Sequence, residues 1–150
     1  MKAKKFIITK KEIDIDIEGI TLLSIEEYEK CKDIIPKIND WWWLRSPGYD
    51  SRSAANVSND GSVFSFGDFV CNDFYAVRPV LIYKSSNLQN GDKIKFADYC
   101  WTVISENMML CDEVIGHTCF RNDWLANDSN DYEKSDIKVW LEDWLGWKIG

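Results

Sequence analysis

Trp41-Trp-Trp-Leu-Arg-Ser-Pro-Gly48 and, further along, Ala76-Val-Arg-Pro-Val-Leu-Ile-Tyr83 are the two stretches that decide how this chain folds. Each is apolar enough to be buried and has the length of one strand. Each also carries one arginine, Arg45 and Arg78. An unpaired charge in an apolar block is costly, so both are expected to hydrogen-bond loop carbonyls or carboxylates and to serve the structure rather than a ligand. Between the blocks, Tyr49 to Tyr75 is small, polar and aromatic. A fixed frame around a side-chain-diverse segment points to recognition rather than to catalysis.

At 150 residues, with 45% hydrophobic and 14% aromatic residues, the chain reads as one folded domain. Eight Trp is a high count, and most are expected in the core. The net charge of −7 argues against direct nucleic-acid binding, which needs a basic face, but leaves a basic protein partner open. Lys2, Lys4, Lys5, Lys10 and Lys11 form the only basic cluster and read as a solvated edge. Five Cys occur with no CxxC pair. No leader opens the chain and no apolar run reaches membrane-spanning length. A soluble protein with free thiols is expected, in a reducing cytoplasm or a virus particle, with no membrane contact.

Local patterns place the elements. Lys5 to Ile8 is a short strand, and Ile13-Asp-Ile-Asp-Ile17 alternates as a half-buried strand does. Glu18-Gly19 reads as a turn and Thr21 to Leu23 as a further strand. Ser24-Ile-Glu-Glu27 is a capping-box signature, which predicts a helix over 24–33. Trp41 to Arg45 is a strand. Asn59-Asp-Gly61 predicts a hairpin between Ala55–Val57 and Ser62–Phe66. Tyr75 to Tyr83 reads as one strand with Pro79 at an edge, a bulge or a start. After a polar connector over 85–91, Lys93 to Phe96, Tyr99 to Ser105 and Asn107 to Cys111 form a three-strand meander. Ser135 caps a second helix, in which Ile137, Trp140, Leu141, Trp144 and Leu145 form one core-facing stripe. The pattern is α+β.

Trp42-Trp-Leu-Arg-Ser-Pro-Gly48, Ala54-Ala-Asn-Val57, Asp60-Gly61 and Val77-Arg-Pro79 resemble the WWLRSPG domain of unknown function of bacteria and phages. That family looks like a branch of the C-type-lectin-like superfamily, which also holds formylglycine-generating enzymes and the variable proteins of diversity-generating retroelements. The resemblance implies a C-type-lectin-like fold of short antiparallel strands and two helices. Gly91-Asp-Lys-Ile-Lys-Phe96, Tyr99-Cys-Trp101, Met109-Leu-Cys111 and Ser135 to Leu145 resemble the family's opening half. Residues 1–84 then correspond to its second half and 91–150 to its first. The implied architecture is a single circularly permuted domain over 1–150. A homodimer exchanging halves is the other way to close it.

The segment from Ser46 to Tyr83 lacks Lys, Glu, Gln, Met and Trp. Its residues are types encoded when the first two bases of an AAC codon vary, as in the retroelement-diversified relatives, whose variable residues lie on an exposed binding face. The physical reading stands beside that resemblance. Tyr and Phe give large contact area at low rotamer cost, while Ser, Asn and Gly adapt their hydrogen bonds. The expected ligand-binding residues are Tyr49, Asp50, Ser51, Arg52, Asn56, Phe64, Phe66, Asp68, Phe69, Asn72, Asp73, Phe74 and Tyr75. For Phe64 and Phe66 the competing reading is inward packing of a strand.

The chemistry of catalysis is thin. His117 is the sole histidine, which weakens nucleophile–base pairs and His-rich metal sites. Cys111, His117 and Cys119 lack a standard zinc spacing. Asp128 to Asp131 lacks the spaced ligands and closing Glu of a calcium loop. Relatives that generate formylglycine use a cysteine pair near their C-terminal block, where Cys71 here stands alone. No cofactor and no metal are expected. The leading expectation is a non-enzymatic module that binds a macromolecule, protein before sugar, through residues 49–75. The alternative is a small acidic phage-encoded inhibitor that blocks the basic channel of a host defence enzyme.

Overall fold

The structure is a computed structural model that describes residues 3–8, 11–84 and 87–149, with 3–8 and 11–13 described by backbone alone. The basic cluster's side chains at Lys2, Lys4, Lys5, Lys10 and Lys11 therefore lie outside the described residues. Among those described, eleven strands and two α-helices make a mixed α+β fold.

The first sheet forms from strands whose alternation is legible. β1 (Ala3–Ile8) pairs antiparallel with β2 (Lys11–Thr21). Ile15 and Ile17 of β2 are buried while Asp14 and Asp16 are exposed. The Glu18-Gly19 turn expected from the sequence is instead a bulge. Register shifts between Ile17 and Gly19, and the strand runs on to Thr21. The expected strand over 21–23 is the end of this one long strand and its buried continuation, Leu22 and Leu23. β2 pairs with β7 (Val80–Tyr83), which pairs with β10 (Met108–Cys111). β9 (Tyr99–Ser105) and β8 (Lys93–Phe96) complete the meander. The six strands curl round, and one pair, Ile7 opposite Lys95, joins β1 to β8.

The second sheet runs β11-β6-β3-β4-β5. Its members are β3 (Trp42–Pro47), β4 (Ser53–Val57), β5 (Val63–Phe69), β6 (Ala76–Val77) and β11 (Gly116–His117). Tyr75 to Tyr83 is thus not one strand. Pro79 lacks an N–H to donate to a ladder, and the chain changes sheets there, with Ala76–Val77 in the second and Val80–Tyr83 in the first. One pairing in this sheet is parallel, β3 with β6 at Trp42 opposite Ala76, so the strands are not all antiparallel.

The helices close the core. α1 (Ile25–Cys31) carries the expected capping box. Glu27 N–H donates to the Ser24 hydroxyl oxygen, and Ser24 N–H donates to the Glu27 carboxylate. α2 (Asp136–Ile149) follows a turn of 3₁₀ helix at Tyr132–Lys134, and Lys138 N–H donates to Ser135 Oγ. Ile137, Leu141 and Leu145 are wholly buried against β2 and the core. Trp140 and Trp144 flank that stripe half-buried, and Trp147 is 87% exposed, so the core-facing row is narrower than the spacing suggests. Of the eight Trp, only Trp42, Trp43 and Trp101 are enclosed. Both halves of the chain feed the same two clusters. One joins Trp43 and Tyr75 with Phe120 and Tyr132; the other joins Leu23 and Val80 with Ile104 and Leu110.

Candidate functional site

The two arginines of the frame find their partners within the fold. Arg45 donates to the Leu22 carbonyl at 2.6 Å and grips Glu27 bidentately, at 2.5 and 3.0 Å. Burial alone would raise the Glu27 carboxyl; hydrogen bonds from Arg45 and the Ser24 N–H, with the Arg45 charge, outweigh it and hold the pKa below its usual value. Arg78 is enclosed. It donates to the carbonyls of Cys111 at 2.7 Å and Pro36 at 2.6 Å, and its guanidinium lies 4.9 Å from the Trp42 ring centre. Both arginines hold loops, as their apolar setting predicts.

The hairpin of β4 and β5 is mounted on this frame. Val57 pairs with Val63 and Asn56 with Phe64, across a turn in which Ser58 N–H donates to the Ser62 carbonyl. The loop after β3 folds back over β5, so that Tyr49 N–H reaches the Phe66 carbonyl at 2.8 Å. Two glycines allow that approach. A Cβ on Gly48 would overlap the Phe66 carbonyl. A Cβ on Gly67, at φ +77°, would overlap the Ala54 carbonyl. The 50–53 loop is pinned from the other half of the chain. Asn130 Nδ2 donates to the Asp50 and Ser53 carbonyls, and the Ser129 hydroxyl donates to the Ser51 carbonyl.

β5 is an edge strand with no buried residue. Phe64 and Phe66 share one face by the two-residue period, and both are exposed. Tyr49, 76% exposed, packs its ring 5.5 Å from Phe66; Trp41 meets Phe64 edge-on at 6.3 Å. Phe74 is 79% exposed. A second, smaller cluster joins Phe69 and Trp124, with the Arg52 guanidinium 5.9 Å from the Phe69 ring centre. Between Trp41, Phe64, Phe74 and Tyr75 the surface sinks into an open hollow of about 440 Å³.

The thirteen expected residues sort into three groups. Tyr49, Ser51, Arg52, Phe64, Phe66, Phe69, Asp73 and Phe74 are exposed, and inward packing of Phe64 and Phe66 is ruled out. Asp50, Asp68 and Asn72 are half-buried and engaged in the loops. Asp50 accepts from the Arg52 N–H and side chain, Asp68 from the Tyr75 hydroxyl at 2.8 Å, and Asn72 from the Phe74 N–H. Asn56 and Tyr75 are corrections, for both are buried. Asn56 lies in β4 between β3 and β5, so neighbours cover it on each side, and its amide nitrogen and oxygen have no partner. Tyr75 stacks on Trp43 at 4.4 Å and presents only an edge. Sequence reasoning missed three residues that the candidate surface includes, Asp40, Trp41 and Trp124. Trp41 was legible as the first residue of the Trp run, which lies just outside β3 and is exposed at 39%. Trp124 carried no local signal.

Among the described residues no Ser, Thr or Cys side chain is hydrogen-bonded to His117. His117 Nε2 lies 2.7 Å from Asp40 Oδ2. Burial pushes the thiols of Cys31 and Cys111 up to about 11 and about 12, so neither supplies a thiolate at neutral pH. All five thiols are unpaired, and among the described residues no three His, Cys, Asp or Glu side chains converge as metal ligands. No described helix is long and apolar enough to cross a membrane.

The molecule is therefore an α+β fold with a frame held by the half-buried Arg45 and the buried Arg78, and with an exposed aromatic edge. Residues 8–85, just over half of the chain, match the family described as a domain of unknown function, DUF6273, and the chain belongs to that family. The match takes in both frame blocks and all thirteen expected residues. No curated protein and no solved structure matches the chain.

Proposed function

We propose that this protein is a non-enzymatic binding module whose β5 edge and flanking loops, within residues 49–75, engage a protein ligand. One observation carries the reading. Tyr49, Phe64, Phe66, Phe69 and Phe74 are all exposed within one segment of the sequence, residues 49–75. Burying such a side chain is worth roughly 1.5–3 kcal/mol, and folding leaves that unused at five neighbouring positions. Large exposed aromatic patches rimmed by polar residues are interaction surfaces, and Tyr and Phe beside Ser, Asn and Gly suit a protein epitope.

The same reading extends to a circularly permuted C-type-lectin-like fold. Its support is the sequence order of the family-like blocks, together with a core that both halves of the chain fill. Retroelement-style diversification of the exposed face accords with the restricted composition of Ser46 to Tyr83.

The test is to isolate a partner with the wild-type protein, then measure its affinity for Tyr49→Ala/Arg52→Ala/Phe74→Ala. Loss of binding at unchanged thermal stability supports the module; retained affinity removes it. The net charge of −7 favours a second reading, an acidic inhibitor of a basic channel. Salt separates the two. Charge-driven binding falls steeply with ionic strength, and aromatic-anchored binding does not.

A further inference from the structure

The hollow beside β5 has a chemistry of its own. Four rings, Trp41, Phe64, Phe74 and Tyr75, wall it together with the carboxylates of Asp40 and Asp68. The rings do not stack on one another. Trp41 stands at 86° to Phe64 and at 60° to Tyr75, with centres 6.3 Å apart in each pair. Tyr75 is fixed from behind by Trp43, and its hydroxyl is turned to Asp68 at 2.8 Å.

Asp68 is held only by neutral donors. Its oxygens accept from Tyr75 O–H, Asn72 Nδ2 at 3.3 Å and Phe69 N–H at 2.7 Å. No Lys or Arg among the described residues forms an ion pair with it, and none lines the hollow. Asp40 has His117 on one oxygen. An aromatic wall draws cations by its quadrupole, more strongly when the cation is desolvated. A carboxylate without a counter-charge adds to that attraction, and a volume of about 440 Å³ takes one long side chain.

We propose that the hollow is an organic-cation subsite that takes an arginine side chain of the protein ligand. This rests on the reading that the β5 face binds protein, and it names the part of the ligand that enters first. A planar guanidinium lies flat on Trp41 and directs its N–H fork at Asp68, which a compact ammonium does less well. Steering follows from charge, since the chain as a whole is acidic.

The test uses the full chain and two capped tripeptides, Gly-Arg-Gly and Gly-citrulline-Gly, which match in shape and differ in charge. Binding is read from the indole N–H resonances in two-dimensional NMR, with Trp41→Phe assigning the Trp41 signal. The arginine peptide should shift Trp41 saturably, with the citrulline peptide roughly tenfold or more weaker. Asp68→Asn keeps an acceptor for Tyr75 and should weaken the arginine peptide to the citrulline level. Phe74→Ala, at an exposed position with no folding role, should weaken it as well. Equal affinity for the two peptides, or no saturable shift with arginine, overturns the subsite. The outcome is separable from the wider reading. Tyr49→Ala/Phe66→Ala leaves the hollow intact, so unchanged affinity for the protein ligand in this variant, with arginine-peptide binding retained, breaks only the surface reading.

Discussion

β4 and β5 are neighbours in one sheet and arise from one stretch of similar composition. Ser53–Val57 is buried at every residue and Val63–Phe69 at none. β4 is central. It has β3 and β5 beside it, Ala55 and Val57 in one core cluster and Ala54 in the other. β5 is an edge, and the larger side chains are on it. This hairpin thus uses small residues where it packs and large rings where it does not, the reverse of what packing alone would select. Under the proposed function, the rings kept out of the core at this edge serve binding.

The comparison is broken most severely through the frame. Trp43 is enclosed, stacks on Tyr75, meets Phe120 and donates its indole N–H to the Thr118 carbonyl. Trp43→Ala should cost about 3–5 kcal/mol, read from urea unfolding. Gly67→Ala, by contrast, touches the seam between the strands. Its positive φ and the Ala54 carbonyl both oppose a Cβ, so a loss of about 1–3 kcal/mol is expected. Asn56 offers an opposite sign. Its amide is buried without a partner, so Asn56→Leu should raise stability by roughly 1–2 kcal/mol. A large loss would mean that the amide is satisfied in solution and that β4 is less dry than it looks.

The smallest effect is on acid stability. The Glu27 carboxyl is held below its ordinary 4.5 when folded, so its pair with Arg45 stabilises fully above that value. The contribution disappears as pH falls through the depressed folded value. Glu27→Gln should flatten that part of the stability–pH curve and leave the neutral-pH slope unchanged. An unchanged acid limb would show the pair to be idle.

Much of the fold was legible locally. The Ile–Asp alternation of β2, the Ser24 capping box and the Asn59-Asp-Gly61 hairpin each announce themselves within a few residues, because local geometry causes them. Burial across a sheet is not local. Nothing near Asn56 tells that β3 and β5 flank it, and nothing near Trp140 and Trp144 tells that only Ile137, Leu141 and Leu145 reach the core. Pro79 was readable as a break, but its move between two sheets depends on β10 and β11, far along the chain. Likewise the site's aromatic content was visible from composition, while Trp124 joins it only through a loop of the other half.

The most direct measurement is a stability scan by protease resistance of all single substitutions at 53–57 and at Tyr49, Phe64, Phe66 and Phe74. The expected result is that polar replacements are rejected along β4 and accepted within about 0.5 kcal/mol at the four aromatics. Destabilisation at the aromatics equal to that along β4 would contradict the account, for those rings would then belong to the fold and not to a binding face.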